Sequence, residues 1–470
     1  MPSLSRQFAD WAAGLTYEDL PEDVCDRARS VTLHALSSAL VGYARDEVKQ
    51  SLAMMKQEEG GAAGNATVLV DGSRLTKAGA VFVNSEMTFA GGKWDTYRML
   101  THPGCAIIPA ALVAAEEKGA SGEAFLTGLV AGYEVMERMA SEFIPTVMTR
   151  GFHAGPVFAI FGAAVASAKI GGLNADQIET AIGQCVNLAA GNLQGVVSGG
   201  RALREGGAVR NALLAVALAR NGVTTGDGML EGPAGFYHSY VGNNLGRLTY
   251  SFTGKNSVDL ASITEGLGSE WMFLETLFRI YTTPGYNIAH VDVTAALCEE
   301  HDIKPEDVDR VEAVVNWLET MYPSPAFPVR YLDLEARPET PHYYVAYGVV
   351  ERGFPLTKDR ARNLGEPDNP AVLELMQRVK VIGSHRQTLF GPTITIYLKD
   401  GRSYSKAGTG REFIWDFAEE TRRIRGVLPN IPIPADQFEQ LIEACSQIET
   451  LSDAARTLID LTVIPPLQVN

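Results

Sequence analysis

The alanine and glycine content of the long helical segments constrains the fold more than any other feature of this chain. Residues 161–168 read FGAAVASA, and residues 208–219 are similarly rich in small side chains. Helices with small residues on most faces can pack against neighbours on several sides, so the sequence predicts a large helical bundle. Because 470 residues exceed what one compact core usually accommodates, two domains are expected.

The hydrophobic pattern predicts the extent of the first domain. The pattern is helical up to about residue 267 and includes a helix over residues 24–41. A capping box over residues 174–177 predicts the start of another helix. We expect a mostly α fold in which a large all-helical domain covers residues 1–270 and is rejoined by part of residues 411–470.

The second predicted domain covers residues 271–410 and is smaller. Its β-branched segments and one turn signal predict α+β structure, with strands over residues 308–318, 379–382 and 393–398, a hairpin turn over 399–402, and a helix over 341–352.

Charge and cysteine usage exclude several classes of protein. The net charge of −16 argues against nucleic-acid binding, which needs clustered Lys and Arg, but it leaves room for an anionic substrate in a local cationic pocket. Five scattered cysteines without a CxxC pair predict reduced thiols. The N-terminus lacks an apolar signal segment, and no apolar run of about eighteen residues occurs, so we expect a cytoplasmic protein that does not enter membranes.

A polar segment around residues 94–104 is the first candidate site. Asp95, Thr96 and Tyr97 precede His102 in an otherwise apolar region. A carboxylate and an imidazole seven residues apart could share a pocket, and imidazole is the usual group for moving a carbon-bound proton. The alternative interpretation is structural: Asp95 caps a helix and His102 stabilises a turn.

Two further segments carry candidate residues. His153 lies between glycines ahead of a small-residue helix, where core packing explains it poorly. Arg201 and Arg204 lie between glycine pairs and could clamp an anion, because guanidinium pairs bidentately with carboxylate. Alternatively, they lie on a solvated loop and pair with Glu205.

Arg279 and Tyr281 lie near the predicted domain boundary, where binding pockets concentrate. The chain has no P-loop, no dinucleotide-binding glycine motif after a strand, no HExxH and no GxSxG. No two histidines have metal-ligand spacing on one helix. We therefore expect neither a metal nor an organic cofactor.

Five segments, in order and spacing, resemble the MmgE/PrpD family: LPEDVCDRARSVTLHALSSALVG, NATVL, DTY…THPGCAIIPAALVAAE, RGFHAGPVFAIFGAAVASAKIGGLN and LEGPAGFY. The resemblance implies a large helical domain, a smaller α+β domain, a homodimer and a site between the domains. It also implies chemistry at the carbon beside a carboxylate, without a metal or organic cofactor. Its members include 2-methylcitrate dehydratase, cis-aconitate decarboxylase and iminodisuccinate epimerase.

The resemblance also implies roles for individual residues. His102 and His153 match family active-site histidines. Asp95 and Thr96 match the end of the family's DFDDT segment. Tyrosines of the family's KxYP and SLPY segments match Tyr281 and Tyr343.

Several family residues are replaced here. Gly92 takes the place of the leading aspartate of DFDDT, and Arg201, Arg204 and Arg279 take the places of a lysine, a histidine and a lysine. Arginine does not deprotonate at working pH, so these side chains can hold carboxylates but cannot exchange a proton.

The sequence predicts a lyase that removes a proton α to a carboxylate of a small di- or tricarboxylate and expels a β-group, as 2-methylcitrate dehydratase does. One of the two histidines would be the base and the other the acid. An epimerase of an iminodisuccinate-like substrate begins with the same proton abstraction and is an alternative, as is an enzyme like cis-aconitate decarboxylase. A non-catalytic relative that only binds a ligand is a further alternative, favoured by the replaced aspartate and lysines.

Overall fold

The computed structural model describes residues 2–59, 64–197, 203–281, 283–327, 335–338, 340–353 and 367–466. The described chain is mostly helical with small sheets, which confirms the predicted fold class. It divides into two compact units. The first comprises Met1–Thr249, Asn256–Phe278 and Asp416–Asn470, and the second comprises Tyr250–Lys255 and Arg279–Trp415.

The first unit is built from helices, among which two short two-stranded sheets are inserted. Its helices are α1 Leu4–Gly14, α2 Glu22–Gly42, α3 Asp46–Glu58, α4 Lys77–Ala90, α5 Gly104–Lys118, α6 Gly122–Ala140, α7 Ile144–Thr149, α8 Ala154–Ile170, α9 Ala175–Leu188, α10 Leu203–Arg220, α11 Phe236–Val241, α15 Phe417–Ile424, α16 Ala435–Ser446 and α17 Ala454–Asp460. β1 Ala66–Thr67 pairs with β2 Arg74–Leu75, and β3 Trp94–Thr96 pairs with β4 Leu277–Arg279, of which Leu277 and Phe278 belong to this unit.

Small residues explain how closely these helices pack. A Cβ atom placed on Gly132 of α6 would lie 2.5 Å from the carbonyl oxygen of Gly162 of α8, and a Cβ on Gly162 would lie 2.7 Å from the carbonyl oxygen of Gly132. Any larger residue at either position would separate the two backbones. The glycine and alanine content therefore encodes the bundle, as predicted.

Local signals set where several helices begin. The Asn174 side chain accepts from the backbone N–H of Gln177, and the Gln177 side chain accepts from that of Asn174, so the predicted capping box opens α9. Ser121 caps α6 by accepting from the Ala124 N–H. No helix among the described residues has the length and apolar character needed to cross a membrane.

The second unit combines helices with one mixed sheet. Its helices are α12 Tyr286–Glu300, α13 Pro341–Val350 and α14 Pro370–Met376, and its strands are β5 Val308–Asn316, β6 Val379–Ser384, β7 Thr393–Leu398 and β8 Ser403–Ala407. The strand order is β6-β5-β7-β8, with β6 parallel to β5 and the other pairs antiparallel. Alternate residues Ile394, Ile396 and Leu398 enter a core shared with α12 and α13.

Candidate active site

His102 is buried in the first unit, against β3 and the aromatic residues around it. Its Nδ1 lies 3.2 Å from the carbonyl oxygen of Asp95 and 3.2 Å from the hydroxyl of Thr96. The indole of Trp94 lies 4.3 Å away between ring centroids, and the Phe89 ring 6.0 Å away. The strand therefore fixes the orientation of the imidazole through both backbone and side-chain contacts.

The carboxylate of Asp95 holds the start of α5. It accepts the backbone N–H of Gly104, at 2.9 and 3.0 Å from the two oxygens, and the hydroxyl of Tyr133 at 2.5 Å. Burial raises the pKa of Asp95 to about 6, against the lowering effects of the Tyr133 hydrogen bond, the charge of His34 and the Gly104 amide. The structural interpretation of Asp95 as a helix cap thus describes one of its contacts, while its carbonyl oxygen holds the candidate base.

We expect Tyr133→Phe to destabilise the protein by about 1–3 kcal/mol, because it removes a donor from a buried carboxylate. The measurement is the free energy of unfolding in urea at neutral pH. Tyr43→Phe is the matched control, since its half-buried hydroxyl lies 3.5 Å from Asp71, at the limit of a hydrogen bond. Equal stability of Tyr133→Phe and wild type would show that Asp95 does not need this donor.

Tyr97 is buried immediately after β3, and its hydroxyl donates to the sulfur of Met272 at 3.8 Å. Burial raises the pKa of Tyr97 to about 12. Its carbonyl oxygen accepts the hydroxyl of Thr101, so the turn between β3 and His102 is closed by a hydrogen bond.

His153 lies at the start of α8 and is 2% exposed. Its Nδ1 accepts the backbone N–H of Gly155 at 3.2 Å, so the imidazole caps the helix. A Cβ atom on Gly155 would lie 3.1 Å from that Nδ1 and 2.9 Å from Oε1 of Glu205. Glycine at position 155 therefore leaves space for an imidazole and a carboxylate beside each other.

Glu205 lies in the first turn of α10 and is 1% exposed. It is therefore not a residue of a solvated loop. Arg201 lies outside the described residues, and the side chain of Arg204 does as well, although its backbone belongs to α10. The clamp and its structural alternative both stay predictions.

Three predicted substrate-binding residues belong to the second unit. Arg279, Tyr281 and Tyr343 are buried there, and the hydroxyl of Tyr343 donates to Asp368 at 2.8 Å. Their participation in substrate binding stays a prediction.

The sequence analysis did not indicate the buried acids behind β3. Tyr133 lies on α6 with Glu134 and Glu137, and the hydroxyl of Thr276 donates to Glu137 at 2.6 Å. Burial raises the pKa of Glu137 well above its ordinary value. The sequence signal that could have indicated these acids is the pair Glu134 and Glu137, which lie one turn apart in an otherwise apolar helix. Among the described residues, no group of three His, Cys, Asp or Glu side chains is arranged to hold a metal ion.

Comparison of the sequence with models of known protein families identifies the family of this chain. The family model of the MmgE/PrpD N-terminal domain matches residues 6–247, which is more than half of the chain. The protein belongs to the MmgE/PrpD family.

Curated proteins show the same relationship. The chain is 28% identical over 297 residues to a cis-aconitate decarboxylase-like protein of Aspergillus oryzae, covering 60% of this chain and 59% of that protein. It is 27% identical to the cis-aconitate decarboxylase of Aspergillus terreus, over 60% of this chain and 57% of that one. The matched stretch is thus less than two thirds of either fungal protein. The cis-aconitate decarboxylase of Mus musculus is 23% identical over 97% of this chain and 92% of its own length.

Proposed function

We propose that this chain is a lyase that acts at the carbon beside a carboxylate in a small di- or tricarboxylate. Membership of the MmgE/PrpD family and the relatives named cis-aconitate decarboxylase support this class of reaction. The observation that carries the proposal is a pair of buried histidines whose ring nitrogens have opposite hydrogen-bonding roles.

We propose a tautomer for each of the two histidines from its backbone contact. A carbonyl oxygen can only accept, so Nδ1 of His102 carries a proton toward Asp95 and its Nε2 has the lone pair of a base. The N–H of Gly155 can only donate, so Nδ1 of His153 is the acceptor and its Nε2 carries the proton of an acid. We therefore assign His102 as the base and His153 as the acid.

A base and an acid together favour dehydration. In that reaction His102 takes the proton α to the carboxylate, and His153 protonates the hydroxide that leaves from the β carbon. Asp95 and Thr96 position His102 rather than react. This is the reaction of a 2-methylcitrate dehydratase-like enzyme.

Decarboxylation of a cis-aconitate-like substrate is the second candidate, and the names of the relatives favour it. Carbon dioxide leaves in place of a proton, so one donor completes the reaction. His153 would supply that proton.

The two candidates are separated by incubating the full-length protein with 2-methylcitrate, citrate and cis-aconitate in parallel. Dehydration gives ultraviolet absorbance from a new double bond with the hydroxy acids, and decarboxylation gives carbon dioxide with cis-aconitate. His238→Gln, which changes an exposed histidine of α11, is the matched control for His102→Gln and His153→Gln. The absence of both products from folded protein across a wider polycarboxylate panel would overturn the lyase proposal.

We propose that Arg201, Arg204 and Arg279 hold the substrate's carboxylates, with Tyr281 and Tyr343 as further binding residues. Arg201→Lys is then expected to raise KM by about tenfold or more, because one ammonium cannot reproduce a bidentate charged contact. The measurement is steady-state kinetics with the substrate found above, and the matched control is Arg210→Lys at an exposed position of α10. An unchanged KM in Arg201→Lys would remove this residue from the clamp.

We also propose that the enzyme is a cytoplasmic homodimer that needs no metal or organic cofactor. All five cysteines are buried and unbridged, which suits a reducing compartment. Light scattering in dilute buffer is expected to give the mass of two chains, and activity is expected to survive chelation. The mass of a single chain would contradict the homodimer. Activity that is lost on chelation and restored by one divalent ion would contradict metal independence.

A further inference from the structure

A buried histidine–glutamate pair lies behind the candidate site, on the side of α2. His34 of α2 is 1% exposed, and its Nδ1 lies 2.7 Å from Oε1 of Glu420 in α15, which is fully buried. Removing one partner of a buried carboxylate–imidazole pair is strongly destabilising, because the remaining charge would be buried without water and without a partner. Neither residue is among the candidate site residues that the sequence indicated.

The same face of α2 holds the segment that leads into β3. One turn after His34, the hydroxyl of Ser38 donates to the carbonyl of Thr88 at 2.7 Å and accepts the N–H of Lys93 at 3.2 Å. A Cβ atom on Gly91 would overlap the carbonyl oxygen of Ser38, so α2 and this segment are in backbone contact. His34 therefore lies on the face of α2 that fixes the path of the chain into Trp94 and Asp95.

Charged groups face His34 from three elements. Glu420 comes from α15, Asp95 acts from β3, and Arg27 of α2 lies over the Phe278 ring, 5.1 Å from its centroid. The His34 ring is 5.2 Å from the same centroid. Burial lowers the pKa of His34, but the charge and hydrogen bond of Glu420, followed by the charge of Asp95, outweigh it and raise that pKa above its ordinary value.

Charged groups also face Asp95 from two sides. His34 acts from α2, while the hydroxyl of Tyr133 and the carboxyl of Glu137 lie on α6. Burial favours the neutral form of Asp95, and the positive charge of His34 opposes it. The ionised form accepts the Gly104 N–H and the Tyr133 hydroxyl, which together anchor α5 directly after His102.

We propose that His34, held in place by Glu420, is a positioning residue that fixes the β3–His102 segment through Asp95. It acts through Asp95 and does not touch the substrate. The link to turnover rests on the proposed function, whereas the charge state of His34 and its effect on the segment do not.

The first experiment needs no substrate. Imidazole nitrogen resonances of histidine-labelled full-length protein are followed against pH, and His34 is assigned from their loss in His34→Gln. We expect His34 to stay protonated to higher pH than the histidines of the urea-unfolded protein, and Glu420→Gln to abolish that difference. We also expect Glu420→Gln to shift the resonances of His102. Glu419→Gln, at the partly buried neighbouring position that pairs with Arg422 and Arg423, should leave them unchanged. A neutral His34 in the wild type at neutral pH would overturn the proposal.

The second experiment reads the effect on turnover. Loss of the His34 charge raises the pKa of Asp95, so the acidic limb of the kcat/KM profile is expected to move to higher pH in both His34→Gln and Glu420→Gln. A shift of about one unit is a loss of kcat/KM that is about fivefold at pH 6, approaches about tenfold below about pH 5 and disappears above about pH 8. Glu419→Gln should keep the wild-type profile.

His34→Gln and Glu420→Gln each remove one partner of the pair. If one variant fails to fold, the other still tests the proposal. A loss of kcat/KM that is equal at every pH would indicate a purely structural pair and contradict the proposal. If the protein has no lyase activity, the resonances of His34 and His102 alone decide whether His34 has this positioning role.

Discussion

His102→Gln is expected to lower kcat by about 10²–10⁴-fold, because the variant loses the base that takes the carbon-bound proton. The Gln side chain can keep a contact with the Asp95 carbonyl, so we expect the fold to persist. The measurements are steady-state kinetics and the urea unfolding midpoint of the same preparation. His238→Gln, at an exposed position, should match the wild type in both.

His153→Gln is expected to lower kcat in dehydration by a similar factor, and the double variant should be little worse than either single one. Residues that act as a unit in one transition state give non-additive losses. If the losses multiply, the two histidines do not serve one proton-transfer sequence. Near-normal activity of His153→Gln on every substrate would remove His153 from the mechanism.

The second large effect concerns the stability of the first unit. Glu86 of α4 is buried, with 1% of its surface exposed. Burial raises the pKa of Glu86 to about 7, against a smaller opposite effect of the Ser51 hydroxyl. The folded state therefore favours the protonated carboxyl.

The sign of the pH dependence follows from this raised pKa. The charged form is disfavoured in the fold, so the contribution of Glu86 to stability is greatest below its unfolded pKa and decreases as pH rises through about 7. Gln is neutral throughout. We expect Glu86→Gln to gain stability relative to wild type by about 2–3 kcal/mol on going from about pH 5 to about pH 8.

Urea unfolding of both proteins at the two pH values measures this difference, because other titrating groups cancel between them. Glu58→Gln, at an exposed position of α3, is the matched control and should show no such gain. A pH-independent difference between Glu86→Gln and wild type would mean that Glu86 is hydrated in the folded protein.

Local signals predicted the regular elements well. The segment TITIYL forms β7 over the predicted residues, and the predicted helix over residues 341–352 is Pro341–Val350. The predicted strand over residues 308–318 ends at Asn316, whose side chain accepts the Leu318 N–H and opens a short 3-10 turn. In each case the information lies within a few residues, in β-branched content or a capping side chain.

Contacts between distant segments were not predictable in this way. The structure buries His34 of α2 against Glu420, 386 positions later. Periodicity gives the face of a helix but not its partner. The C-terminal tail returns to the first unit, where a Cβ on Gly122 would overlap the carbonyl oxygen of Ile448. Only the folded chain shows that contact.

The candidate site was predictable as a set of residue types but not as a geometry. The sequence indicated Asp95 and His102 as neighbours, and the structure joins them through the Asp95 carbonyl rather than its carboxylate. Tyr133 carried no signal of its own, because its hydroxyl reaches Asp95 across 38 positions. A polar atom buried by tertiary packing leaves no local pattern.

The central claim is that this chain moves a proton at the carbon beside a carboxylate, and deuterium incorporation tests it most directly. The wild type and His102→Gln are incubated in D₂O with 2-methylcitrate, citrate and cis-aconitate, and proton and deuterium NMR follow substrate and product. We expect deuterium at the carbon next to a carboxylate with at least one substrate in the wild type, through the reverse hydration of a double bond or through decarboxylation. Incorporation by hydration is expected to be lost in the variant. No incorporation with any polycarboxylate by folded wild-type protein would contradict the account, and full incorporation by His102→Gln during dehydration would remove His102 as the base.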